Sequence, residues 1–459
     1  MRVRSPAGPA STGRRARGQV LQNPARVIVL SFAAATAVGT ALLSLPVATP
    51  GPGHASLMEA LFTATSAVCV TGHLVVNTAT YWSVFGQVVI LALIQVGGFG
   101  VMTLASLLGV LVSRRLGLRS RITAAAETRS MGIGDVRRVV TGVVLASLLL
   151  EAVATVALSA RFYFGYHERA GQALWHGVFH AVSAFNNAGF SLFEDNLVEF
   201  AADPWVCLPI AFAVIAGGLG FPVLLQLRRE LTHPRLWTLN TRLVLAATAV
   251  LLVTSTAFIT VMEWNNEQTL GRLSPGGRLL AGFFQAVITR TAGFNSVDIG
   301  QLDPATWLGM DVLMFIGGGP AGTAGGLKVT TFAVLYFIIY SEIRGDGAVS
   351  ALGKRLPRST HRQAATVALL AVAVVVTSTV ALLVMTEFSL DRVLFEVISA
   401  FATVGLSTGI TPDLPVAGQL ILVLLMFLGR VGPVTLASAL ALRHTTRLYE
   451  LPKERPIIG

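Results

Sequence analysis

Charged side chains are scarce in this chain. Asp, Glu, Lys and Arg make up 12% of its 459 residues, about half the roughly 25% of ordinary soluble domains. With 53% hydrophobic residues and a mean hydropathy of +0.70, that scarcity excludes disorder and argues against a soluble enzyme. Cysteine is nearly absent as well. Cys69 and Cys207 stand alone in apolar surroundings, which makes neither a disulfide framework nor a metal-binding spacing. Glycine is the exception, at 45 residues. It weakens a helix unless the backbone needs its freedom, so a plain bundle of apolar helices does not account for it.

The apolar residues fall in long runs. Val27–Leu45 holds no charge between Pro24 and Pro46, and at about 1.5 Å per residue it nearly crosses a roughly 30 Å hydrocarbon core. For a cleaved signal peptide the run is too long and its charged lead too extended. Seven more spans are expected, at Val84–Val112, Val139–Ala160, Trp205–Leu227, Leu243–Met262, Trp307–Tyr340, Ala364–Thr386 and Ala417–Leu442. Within successive pairs lie the short apolar pieces Ser56–Ser66, Gln172–Ser183, Gly277–Val287 and Leu390–Ser399. They are too short to cross and read as re-entrant helices.

The organisation is therefore four units of span, short helix and span, at residues 27–112, 139–227, 243–341 and 363–442. Linkers at 113–138, 228–242 and 342–362 join them, a flexible Pro-, Gly- and Arg-rich tail (1–26) precedes them, and a second tail (443–459) follows. Of the 34 Lys and Arg residues, 26 lie in these linkers and tails, while loops inside the units carry acids such as Glu194, Asp195, Asp303 and Asp391. The positive-inside rule puts both termini and the linkers in the cytoplasm. The net charge of +11 is then a topology signal, and no nucleic-acid partner is expected.

After each short helix a motif recurs: Thr65-Ser-Ala-Val-Cys-Val-Thr-Gly72, Val182-Ser-Ala-Phe-Asn-Asn-Ala-Gly189, Ala286-Val-Ile-Thr-Arg-Thr-Ala-Gly293 and Ile398-Ser-Ala-Phe-Ala-Thr-Val-Gly405. A phenylalanine stands ten positions before each final glycine, at Phe62, Phe179, Phe283 and Phe395. Between 24 and 28 residues after it comes a second glycine cluster, opened by Gly97, Gly217, Gly317 and Gly429. Irregular backbone survives at membrane depth only where it is buried in protein or lines a cavity. Four extended, glycine-ended strands can present rings of carbonyls that replace the hydration shell of a monovalent cation, with the short helices' C-terminal dipoles favouring that cation. Close helix packing is the competing explanation, and it suits the second clusters better than the first. The expected fold class is an all-α polytopic membrane protein: four repeats of transmembrane helix, re-entrant pore helix and transmembrane helix around a pseudo-fourfold pore.

These repeats, with Gly318-Gly-Pro-Ala-Gly-Thr-Ala-Gly-Gly-Leu-Lys328 and Leu428-Gly-Arg-Val-Gly-Pro-Val-Thr435, resemble the Trk/Ktr/HKT superfamily of potassium transporters. Ile288-Thr-Arg-Thr-Ala-Gly-Phe-Asn295 and Ala184-Phe-Asn-Asn-Ala-Gly-Phe190 look most like the Ktr-type membrane subunit. The resemblance implies potassium (K+) uptake, often stimulated by sodium (Na+), with no covalent chemistry. It also implies a homodimer in the lipid bilayer of the cell membrane, resting on a KtrA-like ring of cytoplasmic regulatory subunits that carry the nucleotide (ATP or ADP).

By the same resemblance the selectivity filter comprises Val68, Cys69, Val70, Thr71 and Gly72, then Phe185, Asn186, Asn187, Ala188 and Gly189. Thr289, Arg290, Thr291, Ala292 and Gly293, then Phe401, Ala402, Thr403, Val404 and Gly405, complete it, with K+ at the backbone carbonyls. The matching gate is the loop with Gly322, Thr323, Ala324, Gly325, Gly326 and Lys328, together with Arg430. Lys328 follows Leu327 rather than glycine, so a nucleotide phosphate loop is not expected; a snorkelling lysine remains the alternative to a gating one. Arg430 reads either as pore-lining or as a structural salt bridge or carbonyl cap stabilising the Pro433 kink. Arg290 is expected to turn away from the axis toward a carboxylate, Glu59 or Glu396, and Glu151 to make a helix–helix polar contact. The rival functions are a stand-alone Trk-type symporter coupled to protons or sodium, a secondary transporter of another solute, and a non-transporting membrane anchor. Two-span units that keep one orientation disfavour an inverted-repeat transporter.

Overall fold

The computed structural model describes residues 24–442 except Pro52 and 116–134. Nearly all of the N-terminal tail, most of the first linker and the whole C-terminal tail therefore lie outside the described residues. Unit 1 consists of α1 (Pro24–Leu43), α2 (Leu57–Cys69) and α3 (Val84–Arg115), and unit 2 of α4 (Asp135–Gly165), α5 (Ala170–Phe185), α6 (Pro204–Leu219) and α7 (Phe221–Glu230). Unit 3 is α8 (Leu239–Met262), α9 (Pro275–Thr289), α10 (Pro304–Phe315) and α11 (Val329–Ile343); unit 4 is α12 (Arg358–Met385), α13 (Leu390–Phe401) and α14 (Val416–Leu442).

Local sequence explains where the helices start. Ser56 and Glu59 form a capping box at the head of α2, and Ser274, Asp203 and Asp303 cap helices that open with proline, whose missing N–H is no loss in the first turn. The short helices α2, α5, α9 and α13 run 13, 16, 15 and 12 residues, below the roughly 20 needed to cross. The spans are apolar on their outer faces. Leu145, Leu148, Leu149, Val153 and Val156 of α4 are all exposed, a stripe suited to lipid rather than water.

Two expected spans are interrupted. Trp205–Leu227 is α6 and α7 meeting at a bend of 100°, located at Gly220, whose φ of 90° only glycine adopts readily. A Cβ there would strike the Pro320 carbonyl, and the next amide, Phe221 N, donates to Ala321 O at 3.2 Å. Trp307–Tyr340 is α10 and α11 separated by the irregular segment 316–328, pinned at its neck by Gly317 N donating to Leu327 O at 2.8 Å. The linker 342–362 also holds a small antiparallel hairpin, β1 (Ser350–Ala351) and β2 (Lys354–Arg355). Its turn residues Leu352 and Gly353 have φ of 47° and 79°, as a two-residue hairpin turn requires.

The units close on one another. The last span, α14, packs against the first short helix, α2. One buried cluster joins Phe62 and Cys69 of unit 1 to units 3 and 4, another joins α5 and α6 to Phe284 and Ile288 of α9, and a third joins unit 1 to Phe179, Phe190 and Val431. Since each core straddles unit boundaries, no unit buries its apolar surface alone.

Candidate functional site

Every short helix delivers its C-terminus to a glycine segment, at Cys69, Phe185, Thr289 and Phe401. The segments are shorter than the expected extended strands, because Val68, Cys69, Phe185, Thr289 and Phe401 still belong to the helices. In units 1, 2 and 4 the chain leaves the helix through one shared turn. Val70, Asn187 and Thr403, each two before the glycine, have φ of 55°, 59° and 51°. The following amides reach back five residues, Thr71 N to Ser66 O at 2.8 Å, Ala188 N to Ser183 O at 2.7 Å and Val404 N to Ser399 O at 2.9 Å. This is a Schellman-type cap built without glycine at its left-handed residue.

The four glycines then enclose a centre. Gly72, Gly189, Gly293 and Gly405 have φ of 85°, 69°, 70° and 93°. A Cβ on Gly72 would strike Ala188 O, one on Gly189 would lie 2.5 Å from Ala292 O, one on Gly293 would strike Val404 O, and one on Gly405 would strike Thr71 O. Each glycine thus abuts the carbonyl preceding the next glycine, and the fourth returns to the first. All residues of the four segments are buried. A serine or alanine at any of the four would fill the gap between neighbouring segments.

The second glycines have a different use. A Cβ at Gly97, Gly217 or Gly429 would collide with the carbonyl of Val68, Phe185 or Phe401, each four residues before a ring glycine. Here close packing is the whole explanation: the spans press against the ends of the short helices. In unit 3 Gly317 instead faces the carbonyls of Gly325 and Leu327, within the irregular segment.

That segment packs against the glycine segments of units 2 and 4. Thr323 Oγ1 donates to Phe185 O at 3.2 Å and lies 3.2 Å from the Asn187 amide, while Thr323 N donates to Gly217 O at 3.2 Å. Further along, a Cβ on Gly325 would meet Thr403 Oγ1 and Ala402 O, so the loop runs from segment 2 to segment 4. Two cations hold its carbonyls. Arg430 Nη1 donates to Thr323 O, and Lys328 Nζ donates to Ala324 O at 2.5 Å. Arg430 is 3% exposed, and its Nε and Nη2 have no protein partner. Among the described residues its carbonyl contact is to the loop.

One expected contact needs correction. Arg290 meets neither proposed carboxylate. Glu59 is occupied by the Ser56 amide at 2.7 Å and Tyr81 Oη at 2.8 Å. Glu396 accepts from Ser407 Oγ at 2.6 Å, Thr408 N at 2.8 Å and Thr411 Oγ1 at 2.8 Å, and pairs with His73 Nε2 at 2.5 Å. Arg290, 7% exposed, instead borders a small cavity of about 20 Å³ with Thr248, Thr291 and Asn187. Glu151 does make a contact between helices, through Gln95, but it also reaches the glycine segment at Asn186.

The Glu396–His73 cluster, which ties the residue after Gly72 to the short helix of unit 4, escaped the sequence reading. So did the serine five residues before Thr71 and Val404, whose hydroxyl accepts the ring glycine's amide: Gly72 N to Ser66 Oγ and Gly405 N to Ser399 Oγ, both at 3.1 Å. The repeated Ser-Ala of the motif was the visible signal. Among the described residues no group of three His, Cys, Asp or Glu side chains is placed to hold a metal ion, and the contacts that close the ring of glycines are made to backbone carbonyls. Such a ring can take over a monovalent cation's hydration shell.

Known proteins share this architecture. The family model described as "TrkH: Cation transport protein" matches residues 22–446. The chain is 38% identical to Ktr system potassium uptake protein B of Bacillus subtilis, over 91% of this chain and 93% of that one. It is likewise 38% identical to the Vibrio alginolyticus protein of the same name, over 95% and 94%, and 33% identical to the potassium/sodium uptake protein NtpJ of Enterococcus hirae, over 95% and 97%. The fold is similar to the crystal structure of the potassium transporter TrkH from Vibrio parahaemolyticus, with a TM-score of 0.71 at 18% identity, over 90% of this chain and 83% of that one. The chain belongs to the TrkH family of cation transport proteins.

Proposed function

We propose that the protein carries potassium into the cell across the membrane, dehydrating the ion at the ring of Gly72, Gly189, Gly293 and Gly405. The observation that carries this is the cyclic contact of each glycine with the carbonyl before the next. It is supported by near-full-length likeness to proteins named for potassium uptake. The filter comprises the four segments assigned from the sequence. Because Cys69, Asn186, Arg290 and Ala402 occupy one register position in the four segments, selectivity is looser than in a symmetric ring. Sodium stimulation accords with the potassium/sodium name of one relative.

The segment Gly322–Lys328 is the gate. It lies across the path beneath segments 2 and 4, and Lys328 and Arg430 oppose a passing cation by charge. The termini and basic linkers face the cytoplasm. There a nucleotide-binding regulatory ring contacts a homodimer of the chain. Uptake of rubidium by potassium-uptake-deficient cells producing the protein, with potassium and sodium as competitors, tests this reading. Saturable uptake inhibited more strongly by potassium is expected, and absence of rubidium uptake by protein resident in the membrane overturns it.

A further inference from the structure

Behind segment 2 sits a carboxylate with no cation beside it. Glu151, on α4, is 4% exposed. Its oxygens accept only from amides: Gln95 Nε2 lies 3.1 Å from Oε1 and 2.9 Å from Oε2, and Asn186 Nδ2 lies 3.2 Å from Oε1. Asn186 Nδ2 is also 2.9 Å from both Gln95 Oε1 and Val182 O, which fixes which way the amide faces. The ion pairs among the described residues are His73–Glu396, Arg161–Asp203 and Glu168–His176; Glu151 is in none of them. Gly98 makes the approach tight, since a Cβ there would strike Asn186 Oδ1.

A carboxylate at this depth needs a positive charge or a full set of donors. Two amides supply donors but no charge. Asn186 stands three residues before Gly189, so the bonded contact through Asn186 leads from Glu151 to the ring. We propose that Glu151 is the counter-charge for the cation held in the ring, a positioning residue acting through Asn186. This rests on the ring reading above and deepens it. It also gives the ring a polarity, because the same register position carries the uncharged Cys69 and Ala402 in units 1 and 4 and the cationic Arg290 in unit 3. A bound cation is drawn toward segment 2 and away from segment 3.

Rubidium uptake by full-length protein in proteoliposomes tests the charge separately from the shape. Glu151→Gln keeps size and hydrogen bonding. Its apparent KM is expected to rise about tenfold, the factor that about 1.4 kcal/mol of lost attraction produces, with the maximal rate within about twofold. Glu151→Asp keeps the charge, and its KM should stay within about threefold of the parent. The exchange variant, Gln95→Glu with Glu151→Gln, moves the carboxylate across the same amide pair and should restore the parent KM; it also reads the question if the single variant does not fold. An unchanged KM in Glu151→Gln, or an exchange variant as weak as that single change, overturns the inference and leaves Glu151 a packing residue. Failure of the unmodified protein to take up rubidium would strike the transport reading instead.

Discussion

Units 1, 2 and 4 hold their glycine segments with Ser66, Ser183 and Ser399; unit 3 has Val287 at that position. In the first three the residue two before the glycine is left-handed, whereas Thr291 in unit 3 is not among the positive-φ residues. There Thr291 N and Ala292 N both donate to Ile288 O, at 3.1 and 2.9 Å, so the helical turn merely winds on. The following span differs in the same way. Gly97, Gly217 and Gly429 press a helix against the end of a short helix, while Gly317 opens the loop that packs against segments 2 and 4. The second span is broken in two units, by the bend at Gly220 in unit 2 and by the segment 316–328 in unit 3, but it is unit 3 that also departs from the shared turn and its serine.

The sharpest way to break this contrast is to put the same side chain into both kinds of unit. Gly72→Ser and Gly293→Ser each drive a Cβ into a neighbouring carbonyl at positive φ. The segment of unit 1 is locked by Ser66 and cannot yield, whereas that of unit 3 lacks both the turn and the hydroxyl. Rubidium uptake (maximal rate over KM) is expected to fall about 100-fold for Gly72→Ser and about tenfold for Gly293→Ser, strain of one to three kcal/mol being the scale for a forced backbone. Equal losses would mean that unit 3 is as rigid as the rest.

The loop offers the next largest effect. Removing Gly322–Gly326 takes away the segment that Thr323 bonds to Phe185 O, and the outward rubidium leak from loaded liposomes should rise about tenfold, a barrier change of about 1.4 kcal/mol. Arg430→Gln loses the tie to Thr323 O and one of the two charges beside the loop but keeps the loop itself, and about threefold is expected. A folded deletant with unchanged leak makes the loop scaffold and erases the distinction between the units.

Much of this was legible in advance, and the reasons differ from place to place. The ring glycines could be found because each follows a helix too short to cross, at a fixed distance from Phe62, Phe179, Phe283 and Phe395. The loop could be found because glycines interrupt a span that should have none. The bend at Gly220 could not, since apolar residues continue on both sides and Gly217-Gly218 nearby read as packing glycines. Nor could the pairing of His73 with Glu396, which are 323 positions apart; no local period links residues that meet only when the fourth unit closes on the first. The misplaced partner of Arg290 has a local cause. Ser56-x-x-Glu59 is a capping-box signature that already assigned Glu59 to its own helix.

A last comparison isolates the hydroxyl that three units share. In Ser66 and Ser399 it accepts the amide of the ring glycine, while Ser183 Oγ donates to Phe190 O at 2.9 Å. Ser66→Ala or Ser399→Ala leaves that amide without its acceptor, a net loss of about 1 kcal/mol, which should raise the rubidium KM about fivefold. Val287→Ser in unit 3 adds the hydroxyl without the left-handed turn that would bring the Gly293 amide to it. Its KM should therefore change by less than about twofold, even though a buried valine has been lost. If Val287→Ser tightens binding instead, segment 3 adopts the shared turn once given the residue for it, and a single side chain is what sets segment 3 apart.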